Sequence, residues 1–117
     1  MQYLLLCCFD EKKWTSLPQS QRDSIMDRYG QWVHQLKANG QLLDGAKLDA
    51  VASAATLRER NGESLVVDGP FAETKEQLGG YHVIECQDRS EAIAIARRIP
   101  TLTAGGVVEV RPISWRE

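Results

Sequence analysis

Cysteine and histidine are scarce in this chain, and their spacing argues against several common kinds of site. The three cysteines, Cys7, Cys8 and Cys86, are odd in number and contain no C-x-x-C pair. A disulfide scaffold or a structural zinc site therefore has little support, and a reducing, cytoplasmic location is the default expectation. With only two histidines, a metal site would need carboxylates as ligands, and the Asp and Glu residues do not show the spacing of a metal-binding motif. We accordingly expect neither a metal nor a cofactor.

An excess of positive charge and a long apolar segment are also missing. The 14 Lys and Arg residues are outnumbered by 16 Asp and Glu residues, which leaves a formal net charge of -2 and no basic surface for nucleic acid. The apolar run from Met1 to Phe9 has no basic leader, is far shorter than a membrane span and meets Asp10-Glu11-Lys12-Lys13 at once. We expect a buried first strand there, and neither nucleic acid nor a membrane as a partner.

The 117 residues fit a single domain, 1–117, in which strands and helices follow a clear order. Strands are predicted at 2–9, 42–46, 54–59, 64–68, 81–86 and 107–112. Ser16-Leu17-Pro18-Gln19 predicts the start of a helix that Asn39-Gly40 ends, and the capping box Asp88-Arg89-Ser90-Glu91 predicts a second helix. Asn61-Gly62 predicts a tight hairpin turn.

This order predicts an α+β fold, a split βαβ arrangement with an antiparallel sheet and an inserted β-hairpin. Two helices can cover only one face of such a sheet. The first strand is apolar on both faces, since Tyr3, Leu5 and Cys7 alternate with Leu4, Leu6 and Cys8. The uncovered face should therefore meet another sheet, and a symmetric homodimer is the simplest way to supply one.

The most distinctive segment runs from Asp68 to Lys75. Asp68 could serve an ordinary turn by accepting from the backbone N–H two residues on, but Pro70 has no N–H there. Asp68 must then reach another backbone group or remain available to a ligand, and both alternatives stay open. Glu73 and Lys75 are either solvated or part of a lid, whose hinges would be Gly69 at one end and Gly79-Gly80 at the other.

His82 shares a strand face with Ile84 and Cys86, and that face is either covered by helices or lines a barrel. The residue is accordingly either a satisfied core histidine or a proton-transfer group. Tyr29 and Trp32, three residues apart on the first helix, are predicted to be core anchors.

The segment from Asp68 to Glu76 reads Asp-Gly-Pro-Phe-Ala-Glu-Thr-Lys-Glu, and Gly79-Gly80-Tyr81 follows shortly after it. This pattern resembles the signature of the DGPF subgroup of YCII-related proteins. The resemblance implies a ferredoxin-like fold that dimerises as an α/β barrel. It carries over Asp68 as the acid/base candidate, but it does not carry over His82. The predicted ligand-binding residues are Phe71, Glu73, Lys75, Tyr81 and His82.

Two functional hypotheses follow. The first is a homodimer that binds a small molecule in a barrel pocket and could act as a cofactor-free acid/base enzyme through Asp68. The second is a non-catalytic regulatory or interaction module, because members of this family resemble accessory proteins associated with alternative sigma factors.

Overall fold

A computed structural model describes all residues from 1 to 117 as three α-helices and six β-strands. The elements in chain order are β1 (Gln2–Phe9), α1 (Glu11–Ser16), α2 (Gln19–Ala38), β2 (Leu42–Lys47), β3 (Ala55–Arg60), β4 (Glu63–Asp68), β5 (Gln77–Glu85), α3 (Arg89–Arg97) and β6 (Val107–Pro112). Short 3₁₀ segments lie at Val51–Ser53 and Pro100–Ala104. None of the helices has the length and apolar character needed to cross a membrane.

Four strands form the main sheet in the order β2-β5-β1-β6, and every neighbouring pair is antiparallel. The first strand lies inside the sheet and the last lies at its edge, as expected of a strand that ends at a proline. This arrangement confirms the predicted α+β, ferredoxin-like split βαβ fold with an inserted hairpin.

The helices cover one face of the sheet and form the core there. Tyr3, Leu5 and Cys7 of β1 point to this face and are buried, as alternation along a strand requires. They pack against α2, whose buried residues recur at helical spacing, and against α3. The indole of Trp32 donates to the carbonyl of Ile95 at 3.0 Å, which joins the two helices through the core.

The opposite face of the sheet carries no helix. Leu4 and Leu6 of β1 lie on it and are only half-buried. Their partners in the ladders with β5 and β6 lie on the same face and include Tyr81 and Val83. We call this surface the open face.

The inserted hairpin forms a separate two-stranded sheet of β3 and β4. Its turn residues Asn61 and Gly62 have φ angles of 52° and 79°, the left-handed pair that a tight hairpin needs. The hairpin leaves large apolar side chains in solvent, since Val66 is 66% exposed and Leu57 is 68% exposed. Nothing within this chain covers them.

Helix α1 was not predicted. Asp10 caps it by accepting from the backbone N–H groups of Lys12 and Lys13 at 3.0 and 3.3 Å. Ser16, predicted to start the long helix, is instead the last residue of α1, and its hydroxyl donates to the Lys13 carbonyl. The long helix begins at Gln19 with no side-chain cap. The competing Asp10 cap was the stronger local signal.

Strand β5 begins four residues earlier than predicted and contains Gly79-Gly80. The Cβ of any other residue at position 79 would meet the ring of Phe9, and one at position 80 would lie 2.8 Å from the Ala46 carbonyl oxygen. These glycines therefore permit close packing inside a sheet, and they are not the predicted hinge of a lid.

Candidate functional site

The structure contains a cleft of about 350 Å³ beside the end of β1, which we call the Tyr29 cleft. Its walls are largely apolar, and a few polar side chains converge at its floor. The side chains that matter below are Cys7, Phe9, Trp14, Tyr29, Lys47 and His82. A mostly apolar concavity with few polar groups is typical of a small-molecule site.

Helix α1 builds one wall of the Tyr29 cleft. Its Asp10 cap turns the chain back after β1, which brings Trp14 edge-on to Phe9 with ring centroids 6.4 Å apart. Glu11 accepts from the backbone N–H of Val51 at 2.9 Å and so ties α1 to the segment after β2. Phe9 in turn lies against Gly79, where no side chain intervenes.

The floor of the Tyr29 cleft is a pair formed by the half-buried Tyr29 and the buried His82. The Tyr29 hydroxyl lies 2.5 Å from Nε2 of His82 and 3.7 Å from Sγ of Cys7. His82 is only 8% exposed and packs edge-on against Trp32, with ring centroids 4.9 Å apart. Strands β1 and β5 supply Cys7 and His82, and α2 supplies Tyr29, so three elements must assemble before this cluster of three side chains exists.

Burial keeps the members of this cluster uncharged at neutral pH. Desolvation lowers the pKa of His82, because the protonated imidazolium would lose its hydration. Desolvation raises the pKa of Tyr29 strongly, and the neighbouring Cys7 adds to the rise. It also raises the pKa of the Cys7 thiol. Tyr29 is therefore a hydroxyl donor, and the neutral ring of His82 accepts its proton at Nε2.

The other ring nitrogen of His82 faces a second concavity, which we call the Gly45 cleft. Nδ1 is buried and has no hydrogen-bond partner in the chain. Gly45 lies opposite His82 in the β2–β5 ladder, and a Cβ at position 45 would stand 2.8 Å from Nδ1. The Gly45 cleft has a volume of about 330 Å³, and His82 lines both clefts.

The signature segment lies elsewhere in the chain. Asp68 is exposed at the end of β4, lines neither cleft, and its carboxylate makes no hydrogen bond within the chain. Its backbone neighbour Gly69 has a φ of 97° and donates to the Ala54 carbonyl, so glycine supplies the turn after the strand. The local turn therefore does not use the Asp68 carboxylate. The other role considered for Asp68, binding a ligand, stays a prediction.

The remaining predicted ligand-binding residues are dispersed. Phe71 is 78% exposed, and Glu73 and Lys75 are exposed in the same loop. Tyr81 is half-buried on the open face, whereas His82 points to the helix side. Among these residues the structure brings only His82 to a cleft, and their roles stay predictions.

Two features of the site were missed from the sequence. Gln77 holds the signature loop by donating from Nε2 to the carbonyls of Ala72 and Thr74, at 2.8 and 3.0 Å. Tyr29 was predicted only to be a core anchor, although a buried tyrosine hydroxyl usually finds a polar partner. With two histidines in the chain, that rule could have suggested a partner for Tyr29.

A comparison with known protein families gives a match over almost the entire chain. The model of the YCII-related domain matches residues 1–116. The chain belongs to the YCII-related family. An uncharacterized protein of Rhizobium meliloti (strain 1021) is 36% identical to this YCII-related chain over 115 residues, which cover 97% of this chain and 93% of that protein.

A solved structure shares the fold of this YCII-related protein at low sequence identity. It is the 5-chloro-2-hydroxyhydroquinone dehydrochlorinase (TftG) of Burkholderia phenoliruptrix AC1100, in complex with 2,5-dihydroxybenzoquinone. The two chains align with a TM-score of 0.57 and 16% identity over 99% of this chain and 94% of the other. The match supports the α+β architecture described above.

Proposed function

We propose that this protein binds a small, largely apolar molecule in the Tyr29 cleft and acts on it as a cofactor-free acid/base enzyme. The observation that carries the proposal is the partly buried Tyr29–His82 pair at the floor of a largely apolar cleft. Functional polar groups are commonly buried in this way, with shifted pKa values and one specific partner. The dehydrochlorinase that shares the fold is a further reason to consider chemistry on a small molecule.

The pair can move a proton although both of its members are uncharged at rest. A ligand hydroxyl, or a C–H made acidic by an adjacent carbonyl, gives its proton to the Tyr29 oxygen. The Tyr29 proton passes at the same time to Nε2 of His82, which is neutral because burial lowers its pKa. Lys47 lines the same cleft, and its ammonium would stabilise the negative charge left on the ligand.

A hydroquinone titration tests this proposal. Hydroquinone carries hydroxyls on an apolar ring, and binding should quench Trp14 fluorescence and shift the NMR resonances of Cys7 and His82. Trp14→Ala should abolish the NMR response, and Tyr29→Phe should weaken it about threefold to tenfold through loss of one hydrogen bond. Trp115→Ala is the matched control for Trp14→Ala, because Trp115 is exposed and lines neither cleft. Equal responses in all variants would refute a site at this cleft.

We also propose that the functional unit is a homodimer joined through the open face. The chain measures 48 × 40 × 19 Å, and one broad face of its sheet carries Leu4, Leu6 and Val107 without a covering helix. Its radius of gyration is 16.1 Å, against about 13 Å for a compact domain of this length. A second copy could cover this face and bring Asp68, on the protruding hairpin, to a shared pocket.

The hairpin also supports the second hypothesis, a non-catalytic interaction module. Leu57, Val66 and Phe71 expose apolar surface of the kind that protein partners cover. This alternative predicts that Val66→Asp disrupts the cellular role while Tyr29→Phe and Asp68→Asn leave it intact. The enzyme proposal predicts that Tyr29→Phe impairs it.

A further inference from the structure

His82 separates the Tyr29 cleft from the Gly45 cleft, and each of its ring nitrogens faces one of them. Tyr29, the partner of Nε2, lines the first cleft but not the second. Gly45, where a Cβ would stand 2.8 Å from Nδ1, lines the second but not the first. The polar atom on the Gly45 side is the unpartnered one.

The absence of a partner for Nδ1 needs a physical reason, since burying a donor without an acceptor costs stability. When Tyr29 donates to Nε2, the neutral ring carries its hydrogen on Nδ1. The atom is therefore an N–H donor that lacks an acceptor. An acceptor oxygen from outside the chain, seated in the Gly45 cleft, would remove this cost.

The charges around the Gly45 cleft indicate what kind of acceptor fits. Its titratable residues other than His82 are Lys37, Asp44 and Lys47. The Asp44 carboxylate accepts from the backbone N–H of Gly45 at 2.8 Å, so one of its oxygens is turned onto the strand. Two ammonium groups and one N–H donor favour an anion over a cation.

The backbone beside Nδ1 is also irregular. The register of β2 against β5 shifts between Leu42 and Asp44, as at a β-bulge, directly before Gly45. Bulges recur next to binding and active sites because they redirect a strand locally. Here the irregular segment contributes to the Gly45 cleft, whose apolar lining residues come from α2 and β2 and are Val33, Leu42, Leu43 and Ala46.

We propose that the Gly45 cleft is a second binding site, which takes the carboxylate group of a small molecule. The carboxylate accepts from Nδ1–H of His82 and is held by the ammonium group of Lys37, which lines only this cleft. Binding there fixes the hydrogen on Nδ1 and so keeps the Nε2 lone pair directed at Tyr29. The site is separate from the proposed function, because it does not require a ligand in the Tyr29 cleft.

Acetate is the probe, and side-chain ¹⁵N NMR of His82 is the readout. The free protein should show the tautomer with hydrogen on Nδ1, and acetate should shift this nitrogen saturably at millimolar concentration, whereas chloride at the same ionic strength should not. A bare Nδ1 in the free protein, or an acetate response no larger than that of chloride, overturns the proposal.

Variants separate this site from the other cleft. Lys37→Gln should weaken acetate binding about threefold or more, while Lys12→Gln makes the same charge change on the exposed surface of α1 and should have no effect. Gly45→Ala places a methyl group beside Nδ1 and should abolish the response. Equal acetate binding by the wild type and Lys37→Gln overturns the proposal.

Trp14→Ala distinguishes this site from the proposed function, because Trp14 lines only the Tyr29 cleft. It should abolish the hydroquinone response and leave acetate binding intact. Loss of acetate binding in this variant, with the fold retained, would show that the two clefts are one site and would overturn the proposal.

Discussion

At the scale of single residues, the hydrogen bond between Tyr29 and His82 allows two polar side chains to pack beside the hydrophobic core. The two residues are 53 positions apart and meet only after the long helix has packed on the sheet. The phenol donates, the imidazole accepts, and Trp32 encloses the imidazole. A change in either member leaves the other without its partner in a region that water barely reaches.

Tyr29→Phe should destabilise the fold by about 1–3 kcal/mol, because it leaves Nε2 of His82 buried without a donor. Urea denaturation at neutral pH measures this loss as a lower transition midpoint. Tyr81→Phe removes a hydroxyl that makes no hydrogen bond within the chain, and it should change stability by less than about 0.5 kcal/mol. Equal effects of the two substitutions would contradict the assigned hydrogen bond.

His82 should make the stability depend on pH in mildly acidic solution. Burial lowers its folded-state pKa below the ordinary value of 6.5, so between the two values the unfolded chain binds more protons than the folded one. The contribution of His82 is complete above about pH 6.5 and is lost as the pH falls toward the folded-state pKa, with a slope of at most about 1.4 kcal/mol per pH unit.

Urea denaturation at closely spaced pH values tests this dependence. His82→Gln should flatten the slope, whereas His34→Gln, on the exposed side of α2, should preserve it. The other titratable groups that line the two clefts with His82 must be followed in the same experiment; they are Cys7, Cys8, Glu11, Tyr29, Lys37, Asp44, Lys47 and Asp49. A slope that survives in His82→Gln would assign the dependence to other groups.

At the scale of elements, the sequence predicted most of what depends on neighbouring residues. The hairpin followed from Asn61-Gly62, and the end of α2 followed from Asn39-Gly40, because each pair suits a left-handed backbone. Helix α1 was missed because it is short and has no buried residue to reveal its period. The Tyr29–His82 pair was missed for a different reason, since it depends on packing between distant elements.

Strand β5 requires glycine at position 79, and α2 does not require glycine at position 30. Gly79→Ala should destabilise the protein by about 1–3 kcal/mol, because the new methyl group overlaps the ring of Phe9 and must displace it. Gly30→Ala meets nothing within 4 Å, and it should stabilise the helix by up to about 1 kcal/mol. Thermal unfolding of both variants measures the opposite signs.

At the scale of the whole molecule, its shape bears most directly on assembly. The open face and the protruding hairpin leave apolar surface uncovered, and an isolated chain would keep that surface in water. The amino acid sequence suggested a partner sheet, since β1 is apolar on both faces and β5 also carries apolar residues on each face. The exposure of the apolar side chains on the hairpin could not be predicted in this way, because their burial depends on which elements pack beside the hairpin.

Leu6→Asp should convert the proposed homodimer into a monomer. The new carboxylate would lie on the open face opposite Glu109, so a second sheet could pack there only by burying like charges. Light scattering should give about twice the 13.1 kDa chain mass for the wild type and the chain mass for the variant. Gln31→Asp, on the exposed side of α2, should remain a dimer. A wild-type monomer at micromolar concentration would contradict the assembly.

The bare backbone at Gly45 has a consequence for how relatives of this protein can diverge. Any side chain at position 45 would overlap with the imidazole at position 82. A lineage that gains a side chain at position 45 must therefore give up, or reorient, the imidazole across the ladder. The two positions can change only together, and a glycine opposite a histidine would mark the members that keep this arrangement.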